Sequence, residues 1–189
     1  PMVALDRIVK AGIDAVVSDG YEGGKLAADT LLQRGATRLA HIAGPDHLKT
    51  VKRRTEGFVE VAGEKLVGMT ESTFTFKDAL KASQELFDHA WPFDGIFAAN
   101  DVIAAAVLQE AVRRNIRVPE ELQVIGYDGI ELGEMTSPPL TTIVQPIYEM
   151  GRLATERLLD LIEKKDTRPR EMLLPVTLLE RHTTKRKER

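Results

Sequence analysis

Asp6-Arg7, Asp19, Asn100-Asp101, Tyr127-Asp128 and Gln145 each follow a short apolar run, and the loop 44–54 that ends in Arg54 follows another. Carboxylates, amides and a guanidinium so placed can exchange hydrogen bonds with a polar ligand. Phe74, Phe76 and Tyr127 fall in the same kind of position, in a chain with only 6 Phe, 3 Tyr and 1 Trp. Other chemistries find less support. Gly20-Tyr-Glu-Gly-Gly24-Lys25-Leu26 invites comparison with a phosphate-binding loop, but the spacing is one residue short and Leu26 replaces the Ser/Thr. A glycine turn before a helix is the better reading. His41, His47, His89 and His182 lack metal-ligand spacing with carboxylates, and His41, within a strand, reads as a core or surface histidine. No Gly-x-Ser-x-Gly elbow and no Ser/His/Asp grouping is visible.

The elements that must position these residues alternate. Apolar runs predict strands at 2–6, 14–18, 39–43, 95–99, 123–127 and 141–144, and a weaker one at 69–74. Helical spacing predicts helices at 21–34, 50–64, 79–89, 102–114 and 148–164, with Gly35 stopping the first and Asp101 capping the fourth. A last extended run covers 172–182. Such alternation predicts an α/β fold with parallel sheets covered by helices on both faces, whose ligands bind at the carboxyl ends of the strands.

The composition bounds the function classes. The 189 residues are 43% hydrophobic and 29% charged, an ordinary globular balance. With 26 basic against 29 acidic residues the net charge is −3, not that of a polyanion-binding module. The basic end, Lys185-Arg186-Lys187-Glu188-Arg189, reads as a solvated tail. Zero cysteines exclude disulfides, thiolate metal sites and cysteine nucleophiles. The longest strictly apolar run, 102–108, is far too short to span a membrane.

Four segments, in order, resemble the LacI/GalR family of bacterial transcription regulators. They are Gly35-Ala-Thr-Arg-Leu-Ala-His-Ile-Ala-Gly-Pro45 followed by Arg54-Thr-Glu-Gly-Phe58, Ile96-Phe-Ala-Ala-Asn-Asp-Val-Ile-Ala104, Gln123-Val-Ile-Gly-Tyr-Asp-Gly129 followed by Ser137-Pro-Pro-Leu-Thr-Thr-Ile-Val-Gln-Pro146, and Leu173-Leu-Pro-Val-Thr-Leu-Leu-Glu-Arg-His-Thr-Thr184. The resemblance implies a periplasmic-binding-protein-like sensor core, two Rossmann-like subdomains facing each other across a cleft. The N-terminal subdomain would comprise 1–17 and 146–174 and be incomplete; the C-terminal one would comprise 18–145 and 175–189. The match begins at what looks like the first subdomain's fourth strand, without headpiece or hinge helix, so the chain is expected to be a fragment of a longer regulator.

The family match also implies roles. Asp128 would accept hydrogen bonds from ligand hydroxyls or ring nitrogens, and Arg54 would donate a fork to ligand oxygens. Asn100 offers both donor and acceptor. Phe74, or Phe76 in its place, would stack on a sugar or base face. Asp6 would approach from the other subdomain, with Gln145 and Thr50 as weaker contacts and Asp101 left as a helix cap. The implied effector is a sugar or related metabolite, with no cofactor, no metal and no enzymatic activity. Operator DNA would be bound through the headpiece, in a cytoplasmic homodimer whose interface lies near the small residues Ala104, Ala105 and Ala106. A sugar-binding transport protein of the same fold is the rival reading; the Pro-Pro-Leu-Thr-Thr-Ile run at 138–143 looks regulator-like instead. An enzyme would need a poised base or metal.

Overall fold

A computed structural model describes residues 1–9, 12–165 and 168–186. In chain order the elements are β1 (Val3–Leu5), β2 (Asp14–Ser18), α1 (Gly20–Gln33), β3 (Leu39–Ala43), α2 (Lys49–Ala62), β4 (Leu66–Glu71), α3 (Phe76–Ala90), β5 (Gly95–Ala98) and α4 (Asp101–Arg113). They continue with β6 (Gln123–Asp128), a short α5 (Leu132–Met135), β7 (Thr141–Val144), α6 (Ile147–Ile162), β8 (Glu171–Leu174) and β9 (Thr177–Leu179).

The strands form two sheets. One has the order β1-β2-β8, all parallel. The other runs β4-β3-β5-β6-β7-β9 and is parallel except where β9 joins β7. The chain passes between them three times, after β2, after β7 and after β8. Strand β5 is wholly buried and β6 nearly so, as a parallel strand covered on both faces must be. On one face α1 and α2 pack Leu31 and Phe58 against Phe97, Ile125 and Tyr127. On the other, α3 and α4 pack Leu86, Phe87 and Val107 against Ile42, Ile96 and Val124.

Local chemistry moves several boundaries. Thr75 accepts a hydrogen bond from the Asp78 amide at 3.3 Å and so starts α3 at Phe76, ahead of the predicted residue 79. Strand β4 accordingly ends at Glu71 rather than residue 74. The run 172–182 is two strands in different sheets, with Pro175 at the passage between them. Ala104 and Ala106 are buried in the core beneath α4, whereas Ala105 is partly exposed; the most exposed apolar side chain of that helix is Val112.

The smaller sheet has a thin core of Val16, Met150 and Leu174, with Leu153, Ala154 and Met172 partly buried against it. Arg157 in α6 pairs with Asp14 at 2.7 Å, both nearly solvent-free, and so fastens the helix to the start of β2. The helix's other side is bare, with Ile147, Leu159 and Ile162 exposed and Tyr148 88% accessible. Amides of α6 are therefore expected to exchange hydrogen much faster than those of β5 and β6. Native-state hydrogen exchange checks this; equal protection in the two regions would contradict it.

Candidate functional site

The carboxyl ends of the two sheets meet, and most of the singled-out polar residues lie there. In the larger sheet β3 leads to β4 on one side while β5 lies on the other. That reversal is the switch point at which open α/β sheets bind ligands. Arg54 approaches it from α2 and Asn100 from the end of β5.

Arg54 is 3% exposed, with its guanidinium 3.3 Å from the centre of the Tyr127 ring. One terminal nitrogen donates to the Ala99 carbonyl and lies 3.9 Å from the Asp128 carboxylate. Its Nε is buried with no hydrogen-bond partner among the described residues. Asp128 ends β6 with φ +107°. Its Oδ1 accepts from Gln145 Nε2 at 2.7 Å, and Gln145 Oε1 in turn accepts from the Ser18 hydroxyl at 2.6 Å. Ser18 ends β2 and also lies 3.3 Å from the Tyr127 hydroxyl, so this chain of contacts joins the two sheets.

Asp6 enters from the smaller sheet, with φ +51°, and its Oδ1 is likewise buried without a partner among the described residues. Burial raises its pKa, against the opposing pull of Arg54, Arg7 and Gln145. Burial also pushes the Asp128 carboxyl up to about 6, although Arg54 and Gln145 favour its ionised form.

The remaining residues divide. Asn100, not Asp101, is the cap of α4: its Oδ1 accepts from the Ile103 amide at 2.8 Å, leaving its NH2 to donate. Asp101 is fully buried and braces the turn after Asp128, accepting from the amides of Gly129 and Ile130 at 2.9 Å each and from the Thr142 hydroxyl at 2.6 Å. A carboxylate can satisfy several donors at once, which is why it serves as a brace here. Phe74 is half-buried with its ring against Gly44, where an added Cβ would lie 2.6 Å from it. Phe76 is 42% exposed in the first turn of α3, so of the two rings Phe74 is the one at the β3 loop. Thr50 is buried, and its carbonyl would lie 2.8 Å from a Cβ on Gly20, which places it at the contact of α1 with α2. The structure shows no hydrogen bond from its side chain to the Arg54–Asp128 group among the described residues.

Two contributors, Tyr127 and Ser18, receive no role from the sequence. Tyr127 stands out only as a strand-end aromatic, not as the platform under Arg54. Ser18 gives one signal, a hydroxyl ending an otherwise apolar stretch, Ala15-Val-Val17. The glycines of 20–26 lie inside α1 rather than before it, and Gly24 abuts the α2 backbone at Arg54 and Phe58. His41 is a core residue between Phe58 and Phe97, bonded to the Phe97 carbonyl at 2.8 Å and the Thr55 hydroxyl at 3.0 Å; burial lowers its pKa to about 4.

Asp128 and Asp6 thus offer acceptors beside the Arg54 donor, Asn100 stands at the neighbouring strand end, and Phe74 lies at the β3 loop. Acceptors and a donor so placed can exchange hydrogen bonds with hydroxyl groups. The burial of Asp128 carries a stability consequence. A folded-state pKa near 6, above the ordinary 3.8, means that the folded protein gives up stability as pH rises through this interval. Asp128→Asn is therefore expected to stabilise the fold by about 2–3 kcal/mol above pH 6, with the gain vanishing below about pH 4. Urea melts of both proteins across this range check it; a gain independent of pH would contradict the assignment.

The family profile described as a periplasmic binding protein-like domain matches residues 28–184. The chain is 41% identical over 187 residues to the ribose operon repressor of Halalkalibacterium halodurans, covering 98% of this chain and 56% of that protein. It is 40% identical over 191 residues to the ribose operon repressor of Bacillus subtilis, covering 100% of this chain and 58% of that protein. The chain thus spans little more than half the length of these relatives. Among solved structures it resembles a LacI family transcriptional regulator from Enterococcus faecalis with bound ribose (TM-score 0.89, 32% identity, 98% of this chain and 68% of that one). A LacI family regulator from Enterococcus faecium with bound ribose is similar too (TM-score 0.87, 31% identity, 98% of this chain and 71% of that one).

Proposed function

The chain belongs to the LacI family, with its periplasmic-binding-protein-like domain, and from that premise we propose that it senses a pentose such as ribose. The sugar is held where the carboxyl ends of the two sheets meet, which makes the sheets and their helices the two lobes of a cleft. The observation that carries this reading is the pair of buried, unpartnered polar atoms there, Arg54 Nε and Asp6 Oδ1. Buried polar groups are almost always hydrogen-bonded, and leaving one unmade costs about 1–3 kcal/mol. When the lobes part and uncover these atoms, one sugar hydroxyl can accept from Arg54 Nε and another can donate to Asp6 Oδ1, satisfying both. Asp128 takes further hydroxyls, Asn100 donates its NH2, and Phe74 covers a face of the ring.

Both curated relatives are ribose operon repressors, and in a regulator of that kind such capture would change the affinity for the operator. Among the described residues no helix is long and apolar enough to cross a membrane.

Calorimetric titration of the chain with D-ribose, at pH 7.5 and at pH 5, tests this reading. Saturable binding that weakens at the lower pH, where Asp128 is protonated, is the expected result. Absence of saturable heat, or binding of a free nucleobase in place of the sugar, would overturn it.

A further inference from the structure

The six-stranded sheet ends in two edges. Strand β9 is three residues long, the kind of short edge that seldom recruits another strand. Strand β4 is six residues, Leu-Val-Gly-Met-Thr-Glu, without the proline or lysine that usually blunts an edge. The Ser72 amide donates to the Ala43 carbonyl at 2.9 Å, so Ser72 faces β3. Alternation along the strand then turns Gly68 and Thr70 toward β3, and the backbone groups of Met69 and Glu71 toward the open edge. Met69 is 55% exposed.

A concavity flanks this edge on each side. One, of about 380 Å3, lies between α2 and β4 and is lined by Gly44, Thr55, Glu56 and Met69. The other, of about 310 Å3, lies between α3 and β4 and is lined by Gly68, Glu85, Leu86 and His89. An added strand would place successive side chains alternately on the two sides, and each side has room to receive them. The first is mainly acidic, lined by Asp46, Glu56 and Glu71 against Lys52, itself 3.9 Å from Asp46, whereas the second is largely apolar, with Val67, Leu86 and Ala90 beside the single carboxylate of Glu85. Lys81 reaches Glu85 from outside at 3.7 Å. A second copy pairing through β4 would set these same carboxylates against each other, so the charge argues against self-pairing.

We infer that β4 is a docking edge for an extended segment of another protein carrying alternate lysine or arginine side chains, which adds to the sheet as a further strand. The backbone of Met69 and Glu71 supplies the hydrogen bonds, the acidic concavity beside α2 receives the basic side chains, and the concavity beside α3 receives the apolar residues between them.

Fluorescence anisotropy with a short labelled peptide of alternating lysine and valine tests this. Saturable binding is expected, accompanied by slowed hydrogen exchange at Met69 and Glu71. Met69→Pro removes an outward donor at an edge position where proline is tolerated, and should weaken binding about tenfold or more. A fully N-methylated peptide of the same charge should weaken it as much, which keeps the test decisive if that variant does not fold. Double substitution Glu56→Gln, Glu71→Gln should weaken it and flatten its salt dependence. Equal binding of the N-methylated peptide, equal binding of an acidic counterpart, no binding, or self-association of the chain that Met69→Pro abolishes would each overturn the inference.

Discussion

Asp128→Ala is expected to weaken sugar binding 30- to 1000-fold, about 2–4 kcal/mol. The carboxylate is the acceptor best placed for ligand hydroxyls, because Gln145 fixes it from one side at 2.7 Å and Arg54 lies 3.9 Å away. Truncation removes charged hydrogen bonds to the ligand, leaves the Gln145 NH2 without its acceptor and takes the nearby counter-charge from Arg54. Asp128→Asn is the informative companion, since its amide oxygen can still accept from Gln145. It should bind weakly while folding more stably. Calorimetry of the three proteins, with thermal melts to confirm folding, separates loss of a contact from loss of structure. Unchanged affinity in Asp128→Ala would remove this residue from the site.

Gly24→Ala should destabilise the fold by about 3 kcal/mol, at the upper end for overpacking. An added Cβ would fall inside the carbonyl oxygen of Arg54 and 2.8 Å from the Phe58 nitrogen, so backbone meets backbone. Gly57 faces the Tyr21 carbonyl in the same way from the other helix. Neither contact can yield by a rotamer change; α1 and α2 must move apart. The melting temperature should fall by roughly 6–12 °C. Because the obstructed carbonyl belongs to Arg54, sugar affinity should fall with it. Gly151→Ala, in α6 with nothing within 4 Å of the added Cβ, serves as the control and should be neutral or stabilising. Equal melting temperatures for Gly24→Ala and Gly151→Ala would show that the close approach of α1 and α2 is not needed.

Strand-end chemistry was legible in the sequence because strand ends are. Runs such as Gly95–Ala98 and Gln123–Asp128 are apolar throughout or nearly so, and the residues at their carboxyl ends had to lie at the rim of a sheet. The placement of Asp6, Asp128 and Gln145 needs nothing more. Roles that depend on a single hydrogen bond were not legible. Asn100 and Asp101 are adjacent, and either can cap a helix; only the burial of Asp101 against Gly129, Ile130 and Thr142 decides between them. The link from Ser18 to Gln145 joins residues 127 apart in sequence, and no local pattern announces it. The glycines of 20–26 read as a turn because glycine usually breaks a helix. Their helical placement is explained by α2, a partner whose contact the local sequence does not show.

A pentose held at the meeting point of the two sheets should perturb the backbone around it. Backbone-amide NMR of the isotope-labelled chain, titrated with D-ribose to about 10 mM, tests it most directly. Saturable shifts are expected at Asp6, Asn100, Asp128 and the β3–α2 loop, lost in Asp128→Ala. Shifts confined to other surfaces, or none at all in the folded chain, would contradict it.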